Sequence, residues 1–111
     1  MDAETLAKNL SGGYIERHTF DLGAKAFTMN VSVLENAVLS MYAVTFVSVS
    51  HFAFVDNQVG EWERLELTQM WIVASPAASG SEEWEVTLSL WDLAQVELRC
   101  AAISVDGESV R

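Results

Sequence analysis

The chain has 111 residues, of which 50% are apolar and 20% are charged, so it is long enough for a single domain (residues 1–111) with its own core and too apolar for a disordered protein. Its 16 Asp and Glu residues against 6 Lys and Arg residues give a formal net charge of −10. Such a charge repels nucleic acid and anionic membranes and favours encounter with a basic protein, although acidity that serves only solubility is the simpler alternative.

Residues 2–10 form the one good helix candidate. Asp2 can cap this helix, and its apolar residues fall on one face at three- and four-residue spacing: Ala3, Leu6, Ala7 and Leu10. The segment opens with an acid and alternates in polarity, unlike a secretory signal. A lone Cys100 cannot form an intramolecular disulfide, so we expect a cytoplasmic protein.

Residues 37–55 contain no Lys, Arg, Asp or Glu and are nearly long enough to cross a membrane as a helix. Their composition favours strands instead, because Val, Tyr, Phe and Thr dominate and polar residues such as Ser48 and His51 interrupt the run. No flanking cluster of Lys or Arg anchors the run to a membrane. We therefore place residues 41–55 in strands.

The apolar alternation of this stretch changes phase twice, between Phe46 and Val49 and again near Ser50. Between the two changes, Val47 and Val49 are expected on the buried face. One unpaired residue at each change restores a single buried face, which predicts a long strand bent by bulges, or two strands separated by an irregularity.

Period-2 alternation predicts further strands at residues 14–22, 27–34, 64–73, 84–91 and 96–105, and a short last strand after the turn at 106–108. Strands joined by short turns are most simply antiparallel neighbours. We therefore predict a mainly β fold. An antiparallel meander over residues 14–110 forms a curved sheet or a half-closed barrel, and the N-terminal helix packs across one opening.

Four segments in this order carry a resemblance to a known family: "GYIERHTFDL", "VTFVSVSHFAFV", "WERLELTQM" and "EEWEVTLSLWDLAQVELRCAAISVDGE". In hydrophobic spacing, in "LELT" and in "LW" followed by a strand and "DG", the chain resembles the YxiG-like family of small bacterial proteins. The resemblance implies a cytoplasmic, β-rich protein from gene neighbourhoods that carry toxin and immunity genes. It lends no catalytic residue to this chain.

Two pairs of carboxylates are spaced two residues apart: Glu61 with Glu63, and Glu83 with Glu85. Such pairs can perform acid–base chemistry or hold a hard cation, but a solvated strand face that alternates with buried Trp62 and Trp84 is the stronger interpretation. His18 and His51 lie in separate strands without the spacing of a metal site. We therefore predict no metal site.

Cys100 falls on the apolar alternation of its strand, which predicts a buried and unreactive thiol. The sequence offers no nucleophile, base and orienting group that belong together. We therefore predict no enzymatic activity and no cofactor.

The tryptophans are concentrated in the second half of the chain, and Trp71 and Trp91 fall opposite to the apolar phase of their own strands. Either a tryptophan is exposed beside acids and can anchor a basic protein or a sugar, or both sheet faces are covered, one by the helix and the other by a second subunit of a homodimer. The predicted binding residues are Glu61, Trp62, Glu63, Glu83, Glu85, Trp91 and Asp92.

Two classes of function remain open. The first is a protein-binding module, most concretely an immunity-like protein that blocks a basic toxin. The second is a carrier of a small apolar ligand, with a barrel interior lined by Phe, Trp and Met around a few polar groups. A sealed interior favours the first class, and an apolar cavity with a mouth and convergent polar groups favours the second.

Overall fold

The computed structural model describes residues 1–56, 60–76 and 80–111. It contains one helix and seven strands in these residues: α1 (Ala3–Leu10), β1 (Gly13–Asp21), β2 (Ala26–Glu35), β3 (Val38–Asp56), β4 (Leu65–Pro76), β5 (Glu82–Leu90), β6 (Ala94–Val105) and β7 (Glu108–Ser109). The predicted fold class, mainly β with one N-terminal helix, is confirmed. The two segments that separate the predicted strands 41–55, 64–73 and 84–91 lie partly outside the described residues.

The strands form one antiparallel sheet in the order β3-β2-β1-β4-β5-β6-β7, and β3 also pairs with β6. This extra pairing closes a ring of hydrogen bonds through six strands. Consecutive strands are neighbours except β3 and β4, because β4 pairs with β1 instead. The sheet is therefore two meanders, β1 to β3 and β4 to β7, joined to each other on both sides. Buried apolar side chains of the helix and of β1 to β6 form one core inside it.

The helix begins and packs as the sequence predicts. Asp2 is the N-cap, and its Oδ1 accepts a hydrogen bond of 2.7 Å from the backbone N–H of Thr5. Leu6 and Leu10 are fully buried, and α1 contacts β4 and β2. Because the capping bond satisfies a donor that the helix itself cannot use, this short helix begins at a fixed residue and turns its apolar face to the core.

Strand β3 bends in the middle, where the sequence predicts irregularities. Ser48 has a φ of +54°, and the register with β6 shifts between Val49 and His51, which leaves Ser50 unpaired. The prediction for Val47 is wrong, since its side chain is exposed. The phase changes at Ser48, one residue after Val47, so Val47 keeps the outward direction of the first half of the strand and Val49 is buried.

The two meanders meet at a short pairing in which only Gly13–Ile15 of β1 faces Leu65–Leu67 of β4. The backbones are crowded at this point. A Cβ atom on Gly13 would lie 2.8 Å from the carbonyl oxygen of Ser32 and 2.9 Å from a methyl carbon of Val31. The close approach therefore requires glycine at position 13 for reasons of space.

We expect Gly13→Ala to destabilise the fold by about 1–3 kcal/mol, because backbone must move to admit the methyl group. Gly23→Ala is the matched control, since the nearest atom to a Cβ there is Asp21 Oδ1 at 3.5 Å. Denaturant unfolding of the two variants and the parent measures the effect. Equal midpoints for Gly13→Ala and Gly23→Ala would contradict the packing described at β1.

Candidate functional site

Four of the predicted binding residues line one open groove. This acidic groove is formed by Glu61, Trp62, Glu63, Arg64, Trp91 and Leu93, and its volume is about 560 Å³. Asp92 lies between two of these residues in the turn from β5 to β6, but its side chain lines a neighbouring depression and accepts a hydrogen bond from the Ser89 hydroxyl. Segment 60–64 precedes β4, so the prediction that Glu61 and Glu63 share a strand face is wrong. They meet Trp91 because a loop and a turn lie side by side.

Glu83 and Glu85 do not belong to the groove. Both lie in the first half of β5, whereas the groove is formed by the segment before β4 and by Trp91 and Leu93, which follow the last residue of β5. Glu83 Oε2 is 3.2 Å from Arg99 Nε, and Glu85 Oε1 is 4.0 Å from Arg99 Nη1. Arg99 also donates to the hydroxyl of Ser75 and the carbonyl of Pro76. These acids therefore hold an arginine against the end of β4 and are separated from Glu61 and Glu63.

Trp91 is fixed by three contacts of its own and by the hydrogen bond that closes its turn. It lies in the turn after β5 with a φ of +54°, and its backbone N–H donates to Glu66 O at 3.1 Å. Its indole Nε1–H donates to Arg64 O at 2.7 Å. Its ring meets the ring of Tyr14 edge to face, at 6.0 Å between centroids, and Leu93 N–H closes the turn on Leu90 O. The side chain nevertheless stays 37% exposed, so a held aromatic surface faces the groove.

Arg64 connects the groove to strand β1, a role that the sequence does not indicate. Its guanidinium lies 3.8 Å from the ring centre of Tyr14, and its Nη2 donates to Glu16 Oε1 at 3.0 Å. The hydroxyl of Ser32 donates to the same oxygen at 2.7 Å. The Ser32 bond first, and the Arg64 bond second, lower the pKa of Glu16.

Tyr14 and Glu16 alternate on the same strand, which is visible in the sequence. Their meeting with Arg64, however, depends on the pairing of β1 with β4.

The two histidines lie in different environments. His18 is at the edge of an apolar cavity, and His51 lies in a polar depression with Glu85, Glu97 and Arg99. Within the part of the chain that the structure describes, no three His, Cys, Asp or Glu side chains are grouped closely enough to hold a metal ion.

The apolar cavity has a volume of about 300 Å³ and is open to solvent. It is lined by four phenylalanines, by His18, and by aliphatic side chains of β1, β4, β5 and β6. The prediction of a Phe-lined interior is therefore supported, but no Trp or Met is among the lining residues in the described ranges. The tryptophans point elsewhere: Trp71 and Trp91 are exposed at 43% and 37%, whereas Trp62 and Trp84 pack partly buried against the core.

No protein-family model matches the chain, and no curated protein matches it. The resemblance to YxiG-like proteins therefore stays a prediction. No helix in the described ranges has the length and apolar character needed to cross a membrane.

Cys100 is fully buried between Val49 and Trp84 of the neighbouring strands, as predicted. Burial, and to a lesser degree the charge of Glu83, raise the pKa of the Cys100 thiol to about 12. At pH 8 the thiolate fraction is then about one in ten thousand. The thiol is therefore a packing group.

We expect a thiol reagent such as DTNB to label Cys100 only after the protein unfolds, so the labelling rate should rise steeply with added denaturant.

Cys100→Ser should fold, at a cost of about 1–3 kcal/mol in the free energy of unfolding, because its hydroxyl loses water. It should keep the binding of the parent. Fast labelling of the native protein, or loss of binding with an intact fold, would show that the thiol is chemically active.

Proposed function

We propose that the protein is a non-enzymatic acidic binding module, and that its acidic groove accepts a basic surface of another protein. The observation that carries this proposal is that Glu61, Glu63 and Trp91 line one open groove. Carboxylates around an aromatic side chain complement a protein surface on which Lys or Arg surrounds an apolar contact.

The charges of the groove support this proposal. In the described residues, no Lys or Arg forms an ion pair with the two groove acids, Glu61 and Glu63. Arg64 also lines the groove, but its guanidinium is paired with Glu16 on β1. The groove acids thus keep their charge for a partner, and the formal net charge of −10 adds a long-range attraction that speeds encounter.

The conformation of the turn also supports the proposal. Trp91 and Asp92 both have positive φ, at +54° and +55°, although neither is glycine. Two successive residues with positive φ also form the hairpin turn at Asn36 and Ala37, so this is the geometry of a tight turn, and here it places Trp91 at the groove. Because Tyr14 and the Arg64 carbonyl already hold the indole, little side-chain freedom is lost on binding.

The resemblance to YxiG-like proteins gives this proposal its concrete form, an immunity-like protein that blocks a basic toxin in the cytoplasm. Stoichiometric blocking requires no turnover, and it requires a surface that a partner reaches quickly and leaves slowly. Unpaired acids at the rim serve the first requirement and a held tryptophan serves the second.

The test begins with proteins recovered from native-cell lysate on the immobilised chain. The groove variant carries Glu61→Lys and Glu63→Lys. The control variant carries Glu97→Lys and Glu108→Lys, which make the same change in net charge at exposed acids outside the groove. We expect the groove variant to associate more slowly with a recovered basic partner, by about ten-fold or more at low salt, and the control variant to change much less.

Trp91→Ala should shorten the lifetime of the same complex, because it removes the aromatic anchor, while Trp71→Ala should leave it unchanged. Trp71 is the matched control, since its exposed fraction is similar and it lies on β4 outside the groove. Circular dichroism confirms that each variant is folded. Equal losses for the groove and control charge variants, or recovery of no basic protein by the parent, would refute the proposal.

A further inference from the structure

The apolar cavity lies beside the shortest strand pairing in the ring, the one between β1 and β4. Ile15 is the last residue of β1 that pairs with β4, while His18 and Phe20 lie beyond that pairing and line the cavity. On the other side, Phe52 and Phe54 come from the part of β3 beyond its pairing with β2. The opening into the core is therefore flanked by the part of β1 that no longer pairs with β4 and the part of β3 that no longer pairs with β2.

The inner wall is fixed and the outer wall is exposed. Phe27, Leu88 and Leu90 are buried and belong to the core. Phe52 and Phe54 are 37% and 56% exposed at the same cavity. Aromatic side chains left in water beside an open apolar cavity gain free energy when a ligand covers them.

The aromatic rings have an arrangement that suits another ring. Phe20 and Phe52 meet edge to face, with 4.9 Å between their centroids, and Phe27 lies 5.1 Å from Phe52. A flat aromatic ligand can extend this cluster by the same offset and edge contacts.

The lining selects against charge. Of the described residues around the cavity, His18 alone has a polar side chain, and no Lys, Arg, Asp or Glu is among them. A charged ligand would lose water there without an ion partner, which is costly. His18 is exposed, so it lies at the mouth, where its ring can form one hydrogen bond.

The volume of the cavity limits the size of the ligand that it can hold. A cavity of about 150 Å³ lined by apolar side chains holds one benzene ring. The cavity here is about 300 Å³. We propose that it binds a neutral bicyclic aromatic molecule with one hydrogen-bonding group, whose rings lie among the phenylalanines and whose polar group meets His18. This site is independent of the acidic groove.

The probe for this proposal is 2-naphthol, with naphthalene as the partner probe that lacks the hydroxyl group. We expect equilibrium dialysis to show saturable binding of both at one site per chain, with an affinity that raised salt does not weaken. Leu65→Trp should lower the affinity for both probes about ten-fold or more, because its ring occupies the cavity. Leu93→Trp is the matched control, since it makes the same change at an exposed residue of the acidic groove.

His18→Leu should reduce binding of 2-naphthol about three- to ten-fold and leave naphthalene unchanged, since it removes one hydrogen bond but keeps the apolar contact. Circular dichroism again shows that the variants fold. Absence of saturable binding would overturn the proposal, as would a loss caused by Leu93→Trp but not by Leu65→Trp. Equal losses of both probes with His18→Leu would overturn the assigned hydrogen bond.

Discussion

The pairing of β3 with β6 closes the sheet, and the other features of the molecule depend on it. The ladder runs from Val44 opposite Val105 to Asp56 opposite Ala94. A strand of 19 residues can pair with β2 along its first half and β6 along its second only if it bends between the two. The small side chains of Ser48 and Ser50 permit this bend, one by a left-handed backbone and the other by leaving the ladder.

Closure through β3 leaves the ring uneven. Most of β1 pairs with β2, but only three of its residues reach β4. Beyond Ile15, β1 no longer pairs with β4, and the apolar cavity lies there. Next to the same pairing, the loop before β4 contacts the turn after β5, where the Arg64 carbonyl and the Tyr14 ring hold Trp91. The groove and the cavity are therefore two consequences of one short strand pairing.

Local pattern and long-range pairing differ in how far the sequence reveals them. The alternation of apolar and polar residues identifies nearly every strand and the second bend at Ser50. It does so because the residue type at each position indicates whether its side chain is buried. Local residue patterns do not show which non-consecutive strands pair. The contact of Arg64 with Tyr14, which depends on such a pairing, therefore cannot be predicted from the sequence. For the same reason Glu83 and Glu61 look equivalent as sequence, although in the described residues Glu83 forms an ion pair with an arginine and Glu61 forms none.

The arginine that lines the acidic groove, Arg64, forms its ion pair with Glu16 on β1 and not with a groove acid. Arg64 would offset Glu61 and Glu63 if its guanidinium were free, but Glu16 binds it, and Ser32 helps keep Glu16 ionised. Since the folded-state pKa of Glu16 is lowered, its stabilising contribution is present above the pKa of the unfolded chain and is lost as pH falls through the lower, folded value. The pair is partly exposed, so salt also weakens it. Near neutral pH, Arg64 therefore pairs with Glu16 above the Tyr14 ring, although it also lines the groove, and in the described residues it forms no ion pair with Glu61 or Glu63.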